Sequence, residues 1–504
     1  MFVSRLASFL SQAGVAVSAL VLLCTPSLAQ ADADPVAEAM IARAQAQLDQ
    51  TPAGEAPRFV TAHVTGEAWM LEQSGNLDGG WLRLSQEADI SLDLRERRGE
   101  VTQIRRLPVM DDSGFGGWQI RFGPDGAAGY RQQQGWTAAR SSQVREALRY
   151  MDLFPASLLS QAALARDLQA TDASQLQFTR LINGQSESVT LTFQPASGAL
   201  VGFALESELS DDMMLTSWGV STVEGRYGFW WRDESGITQP RQLALTLNGR
   251  PWMRYELSTF EWPAALETDL AMPEAGLGGP AYRSIAEFPF AARHENATEL
   301  ARVYYGAWNA MVVDQGDGLV IIEAPISAGY VEALLAQLAI DFPGRPVKAA
   351  FTTSNSWPHA AGVAGLAAAG IDIYAHPANI ALVNELIERA GVTGTVIAAP
   401  DGMAFGSGEA RLVVRHAPGP ELNEMMFVVL PGQALVWASD TVQLDRESLA
   451  PLGHAREYIA EMLTAVCADI GPDFRFVDMH AELIGAAGLQ AAFDGDSHPP
   501  CPSP

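Results

Sequence analysis

The sequence predicts an α+β protein in two parts: an antiparallel β-rich half, then a half in which strands and helices interleave. Three observations point there. Between about 58 and 270, short runs of β-branched and aromatic residues alternate with Gly, Asp, Asn and Ser turns, at the roughly 8–12-residue spacing of an antiparallel sheet or half-barrel. After about 300, apolar strand-like runs alternate with helix-like ones, as in sheets covered by helices. Between the two, residues 271–295 are rich in Gly, Pro and Ala, carry no period and read as a linker.

The bulk numbers agree with a folded chain. Of 504 residues, 48% are hydrophobic and 18% charged, enough apolar material for two ordinary domains. The 32 Lys+Arg against 59 Asp+Glu leave −27. A field of that sign repels phosphates, which argues against nucleic-acid partners and against general attraction to anionic lipid.

The elements follow in order. Arg5, the apolar run 14–24 and the small residues near Ala29 read as a secretory signal over 1–29, so the mature chain is expected outside the cytoplasm, periplasmic or secreted. An apolar run of that length is too short to span a bilayer, and no later stretch is long enough, so no transmembrane span is expected in the mature chain. Residues 30–270 form the first domain, opened by a helix over 35–50. Strands are expected at 58–66, 88–94, 117–122, 188–194, 200–205, 227–232, 242–248 and 252–260. A helical stretch over 142–168 interrupts them and must kink at Pro155.

The second domain is expected over 296–495, with a Pro-rich tail at 496–504. Runs 309–313 and 319–323 flank Asp314-Gln315-Gly316-Asp317-Gly318, a hairpin. A helix over 328–342, a strand over 347–353, an irregular loop and a helix over 360–369 follow. Then come a strand at 371–375, a helix at 377–390, strands at 411–414, 425–430 and 434–438, a helix at 457–470 and a strand at 474–479.

That order, with Leu319-Val320-Ile321-Ile322-Glu323-Ala324-Pro325 in the hairpin, resembles the metallo-β-lactamase superfamily of αββα metallo-hydrolases. The loop after 347–353 stands where that family carries His-x-His-x-Asp-His followed by Gly; here it reads Ser354-Asn355-Ser356-Trp357-Pro358-His359, with Gly362 at the family offset. The first domain resembles, more loosely, a lipoprotein-carrier-like half-barrel.

The resemblance implies a degenerate metal site. Ser354 and Ser356 fall where two histidines close the first zinc site, and Glu421, in Gly419-Pro420-Glu421-Leu422, where a third would stand. Pro358 replaces the acid of the second site, which keeps His359, the bridging Asp440 and His480. A neutral hydroxyl is a poor zinc ligand beside imidazole, yet two His and a carboxylate are also a mononuclear zinc set. The expectation is therefore no functional metal, with one Zn as the alternative and Glu421 able to enlarge that set. His376 is a further pocket candidate. Each residue also has a plain structural reading: loop or helix capping for His359 and His376, a turn for Asp440, a satisfied half-buried ring for His480. Cys467 and Cys501 can pair in an oxidising compartment. Two functions stay open: an exported hydrolase-like protein with reduced or absent activity, or a non-catalytic protein binding a small molecule or envelope component.

Overall fold

The computed structural model describes residues 34–485 and Leu489, apart from 49–56, 71–81, 107–115, 125, 133, 140, 183–184, 209–217, 235, 278–292, 307, 325, 356, 420–423, 443–454, 472, 480–482 and 486–488. The expected signal segment, most of the expected linker, Ser356, Glu421, His480, Cys501 and the tail therefore lie outside the described residues, as do the side chains of Trp357 and Pro358. Residues 33–504 belong to one compact unit.

The first half is a thirteen-stranded antiparallel sheet between Phe59 and Glu261. It is a meander in which Phe59–Met70 pairs with Arg250–Glu261, joining the two arms. Its outermost strands, Gly135–Ala138 and Gln169–Asp172, are consecutive in the chain but stand at opposite edges of the sheet, so it is open, not a closed barrel. Two helices, Ser141–Asp152 and Pro155–Leu164, connect them. The expected kink is thus a full break. Pro155 takes the first turn of a new helix, where its missing N–H costs nothing. Tyr227 Oη donates to Asp152 O at 2.6 Å and Gln239 Nε2 to Leu153 O at 2.8 Å, pinning the break to the sheet. Helix Pro35–Leu48 adds Ala37, Ile41, Ala44 and Leu48 to the same core.

Beneath this helix pair lies a buried ionic square. Arg149 donates to Asp152 at 3.2 Å and to Glu187 at 2.9 Å; Arg180 donates to Asp152 at 2.8 and 3.1 Å and to Glu187 at 2.6 Å. All four side chains are at most 4% exposed. Burial alone would raise the Glu187 carboxyl, but the two guanidinium groups outweigh it and hold the group far below the usual carboxylate range.

The second half is a four-layer αββα sandwich. One sheet holds seven strands from His294–Asn296 to Val396–Ala398, the other six from Ala404–Phe405 to Ile484–Gly485. Alternation along each strand explains the layers. In Ala310–Asp314, Met311 and Val313 face the inter-sheet core with Val428, Leu435 and Trp437, while Ala310 and Val312 face the helices with Val331 and Leu334. On the far side, Phe427, Val429 and Val436 pack against Ile459, Met462 and Val466 of helix Ala455–Val466. The two halves meet where Arg250 reaches Glu385 at 2.7 Å and covers Trp218. Cys467, just past helix Ala455–Val466, is in a disulfide whose partner is outside the described residues.

Removing one corner of the square strands buried carboxylates, so Arg180→Ala should lose about 3–5 kcal/mol in urea unfolding at pH 7. The depressed Glu187 contributes stability that is complete above the ordinary carboxylate value of about 4.3 and fades as pH falls below it. Glu187→Gln should therefore flatten the acid side of the stability–pH curve; an unchanged acid limb would contradict the square's role.

Candidate functional site

Strand direction brings the polar residues to one edge. Leu319–Ile322, Val347–Thr352, Asp372–Ala375 and Val396–Ala398 run parallel, with one register shift at Leu319/Val320, so Glu323, Thr353, His376 and Ala399 follow their ends at one edge. In the facing sheet, Leu412–His416, Leu435–Trp437 and Arg475–Val477 end at the matching edge, where Met426–Leu430 begins. The edges are stitched together. Met426 N donates to Thr353 O at 2.8 Å, Asn309 N to Met479 O at 2.8 Å, and the His416 Nε2 lies 2.7 Å from Ala399 O.

His359 stands at the centre, in the short helix Trp357–Ala360, and is fully buried. Its Nδ1 is hydrogen-bonded to the Glu323 carboxylate, whose other oxygen accepts from Thr353 N at 2.8 Å. Its Nε2 makes no hydrogen bond and faces Asp440 Oδ2 at 3.8 Å. Burial alone would lower the imidazole's proton affinity, but Glu323 first and Asp440 with it push the pKa up to about 10. Thr353 Oγ1 and Ser439 Oγ, 2.6 Å apart, carry the contact across to the second sheet. Glu323 and Ser439 sit at φ +81° and +58°, left-handed values that side chains other than glycine adopt only under constraint. They are two of seven such non-glycine residues among the described ones.

No motif marks Glu323. The signal available in sequence is an acid closing the apolar run Leu319-Val320-Ile321-Ile322. Glu424 is a second such residue: buried, pushed above its ordinary value by desolvation, it accepts from Asn355 Nδ2, and its backbone O accepts from Asn379 Nδ2 at 2.9 Å.

The structure brings His359 and Asp440 together. Ser354 is buried in the loop that leads to His359, while Ser356, Glu421 and His480 are outside the described residues. His376 caps the turn Pro377–Asn379, its Nδ1 accepting from Ala378 N at 3.2 Å, and its ring packs on His416 at 4.1 Å. Desolvation, then the His416 charge, lower its pKa to about 4, so it is neutral at pH 7.

Two donors bonded to one tetrahedral zinc ion stand about 3.3–3.6 Å apart; the orphan Nε2 and Asp440 Oδ2, at 3.8 Å, are slightly farther apart than that and would have to close up to share an ion. The Glu323 contact to Nδ1 is the outer-shell support that metal-bound histidines ordinarily have. Among the described residues no three His, Cys, Asp or Glu side chains form a metal-holding group.

No family model matches the sequence, and no curated protein matches it. Among solved structures, it is similar to a metallo-β-lactamase from Erythrobacter litoralis at 19% identity and a TM-score of 0.32, covering 40% of this chain and 94% of that one. A metallo-β-lactamase from Pontibacter korlensis matches at 16% and 0.33 over 40% and 95%. The mono-zinc form of the enzyme FIM-1 from Pseudomonas aeruginosa matches at 16% and 0.31 over 40% and 93%.

A histidine raised in the folded state stabilises fully below its ordinary value of about 6.5, and that contribution fades as pH rises through about 10. Unfolding free energy of the wild type should therefore decline across that interval. Glu323→Gln should cost about 3–5 kcal/mol at pH 6 and flatten the decline. A His359 ring signal that titrates near 6.5 in the wild-type NMR spectrum would overturn this assignment.

Proposed function

We propose that this is an exported protein of metallo-β-lactamase-like fold whose binuclear hydrolytic centre is degenerate. One half-site remains, on His359, Asp440 and His480, holding at most one divalent ion, with hydrolytic activity reduced or absent. The observation that carries this reading is the His359 ring, braced at Nδ1 by Glu323 and turned with a bare Nε2 toward Asp440. Ser354 offers a neutral hydroxyl, and proline at 358 has no ligand atom in its side chain. An ion bound there would polarise a carbonyl or phosphoryl oxygen and acidify a water. The chain's own residues would contribute the ring's orientation, through Glu323, and a link to the second sheet through the Thr353–Ser439 contact. Export is supported by the signal-like first 29 residues and by the disulfide at Cys467, for which Cys501 is the proposed partner.

One observation favours a second reading, a metal-free binding protein that takes a small molecule or envelope component in the cleft or in the β-rich first half, read as a half-barrel. Glu323 and Asp440 flank a protonated His359, so the ring itself puts a positive charge between the two carboxylates with no ion bound.

Metal analysis of zinc-loaded mature protein separates the readings: one equivalent, lost in His359→Ala, supports the half-site, and none supports the binding protein. Two equivalents would defeat both. Restoring Ser354→His, Ser356→His, Pro358→Asp and Glu421→His together should add a second equivalent and measurable hydrolysis. If that variant folds and gains no metal, the alignment of the loop is wrong.

A further inference from the structure

The turn over 94–97 joins strands Leu82–Asp93 and Arg98–Arg106 and ends on Arg97, which is within electrostatic range of Arg180 and Asp152 of the buried ionic square. Its Nε is buried and makes no hydrogen bond, and its guanidinium has no ion pair among the described residues. The neighbouring acids are already committed. Both oxygens of Asp152 and both of Glu187 are taken by Arg149 and Arg180. On the other side, Asp93 is occupied by Arg58 at 2.8 Å, by Arg98 at 3.6 Å and by the backbone N of Glu96 at 3.1 Å. Arg97, Arg149 and Arg180 against Asp152 and Glu187 leave one positive charge uncompensated.

This arrangement is costly. Burial, and then the like charge of Arg180, both disfavour the Arg97 cation, and Asp152 offsets this only in part. A guanidinium cannot escape by losing its proton, so an anion binding its exposed edge would offset that cost. The backbone does not ask for arginine either: residue 97 sits at φ +52°, where Gly or Asn is at home. In a chain of net charge −27, an unpaired half-buried cation needs a local reason.

We propose that Arg97 is the recognition cation of a binding site for a small oxyanion, a phosphate or carboxylate group that completes the ionic square. Arg97 is half-buried, so a ligand reaches it from solvent while its Nε edge stays dry. The guanidinium fork matches two oxygens of such a group at once. The site is remote in sequence from the His359 edge and independent of any metal there.

Thermal shift and calorimetry on the full mature chain test it, with inorganic phosphate and, separately, acetate titrated at constant ionic strength in chloride. At about 100 Kd the wild type should gain about 3–5 °C in Tm, and the response should saturate at one site. The anion that saturates at the lower concentration tells a phosphate ligand from a carboxylate one. Arg97→Gln should weaken binding at least about 10-fold. Without anion it should be no less stable than the wild type, because it removes an unpaired charge. Arg97→Asn, suited to the left-handed backbone, should bind as weakly and guards against a variant that fails to fold. Arg95→Gln, at the exposed residue two positions earlier, should keep the full response. An unsaturable response, or one that survives in both Arg97 variants, would mean an adventitious ion only. A destabilised Arg97→Gln in a protein with no anion response would make Arg97 structural and overturn the proposal.

Discussion

The contact between the Glu323 carboxylate and the His359 ring organises the second half of the molecule. Glu323 ends a strand of the first sheet, and the strand beside it leads into the His359 loop. Through Thr353 and Ser439 the same cluster reaches the second sheet. Two opposite charges in a dry interior are strongly coupled, and each would be expensive alone. The left-handed backbone at Glu323 and Ser439 is tolerated because this cluster over-determines it. Polar contacts join the two sheets at this edge, while apolar packing on either side of each sheet supplies the platform.

The first half repeats the device. The ionic square fixes the break between helices Ser141–Asp152 and Pro155–Leu164 against the sheet, where a purely apolar contact would allow several registers. Whether such squares add stability over a hydrophobic equivalent depends on the desolvation cost; their clearer effect is that a single misplaced corner leaves a bare charge. Half-buried Arg97, unlike Arg149 and Arg180, has no carboxylate ion pair among the described residues.

Much of the scaffold was legible in the sequence. The hairpin 310–322, the helices Ala328–Asp341 and Ile380–Arg389 and the strands Val347–Thr352 and Asp372–Ala375 stand within a few residues of expectation, because apolar periodicity and Gly punctuation are local properties. Strand Arg98–Arg106 was not visible, since its charged residues hide the alternation of Val101 and Gln103 toward the interior. Pro155 was visible as a disruption, but its role as the first residue of a second helix was not. Within the site, the chemistry of the loop, two serines and a proline ahead of one histidine, could be read directly.

By itself, then, the sequence determined the rhythm of elements, the excess of acid and the poverty of the loop in imidazole, all properties of neighbouring residues. The tertiary structure alone decided which charges meet. Glu323 lies 36 residues before His359, and Glu187 lies 38 residues after Arg149. Arg97 has no ion pair among the described residues, while Asp152 and Glu187 are held by Arg149 and Arg180. Electrostatic partnership depends on distance and burial, and neither exists until the sheets have closed over the chain.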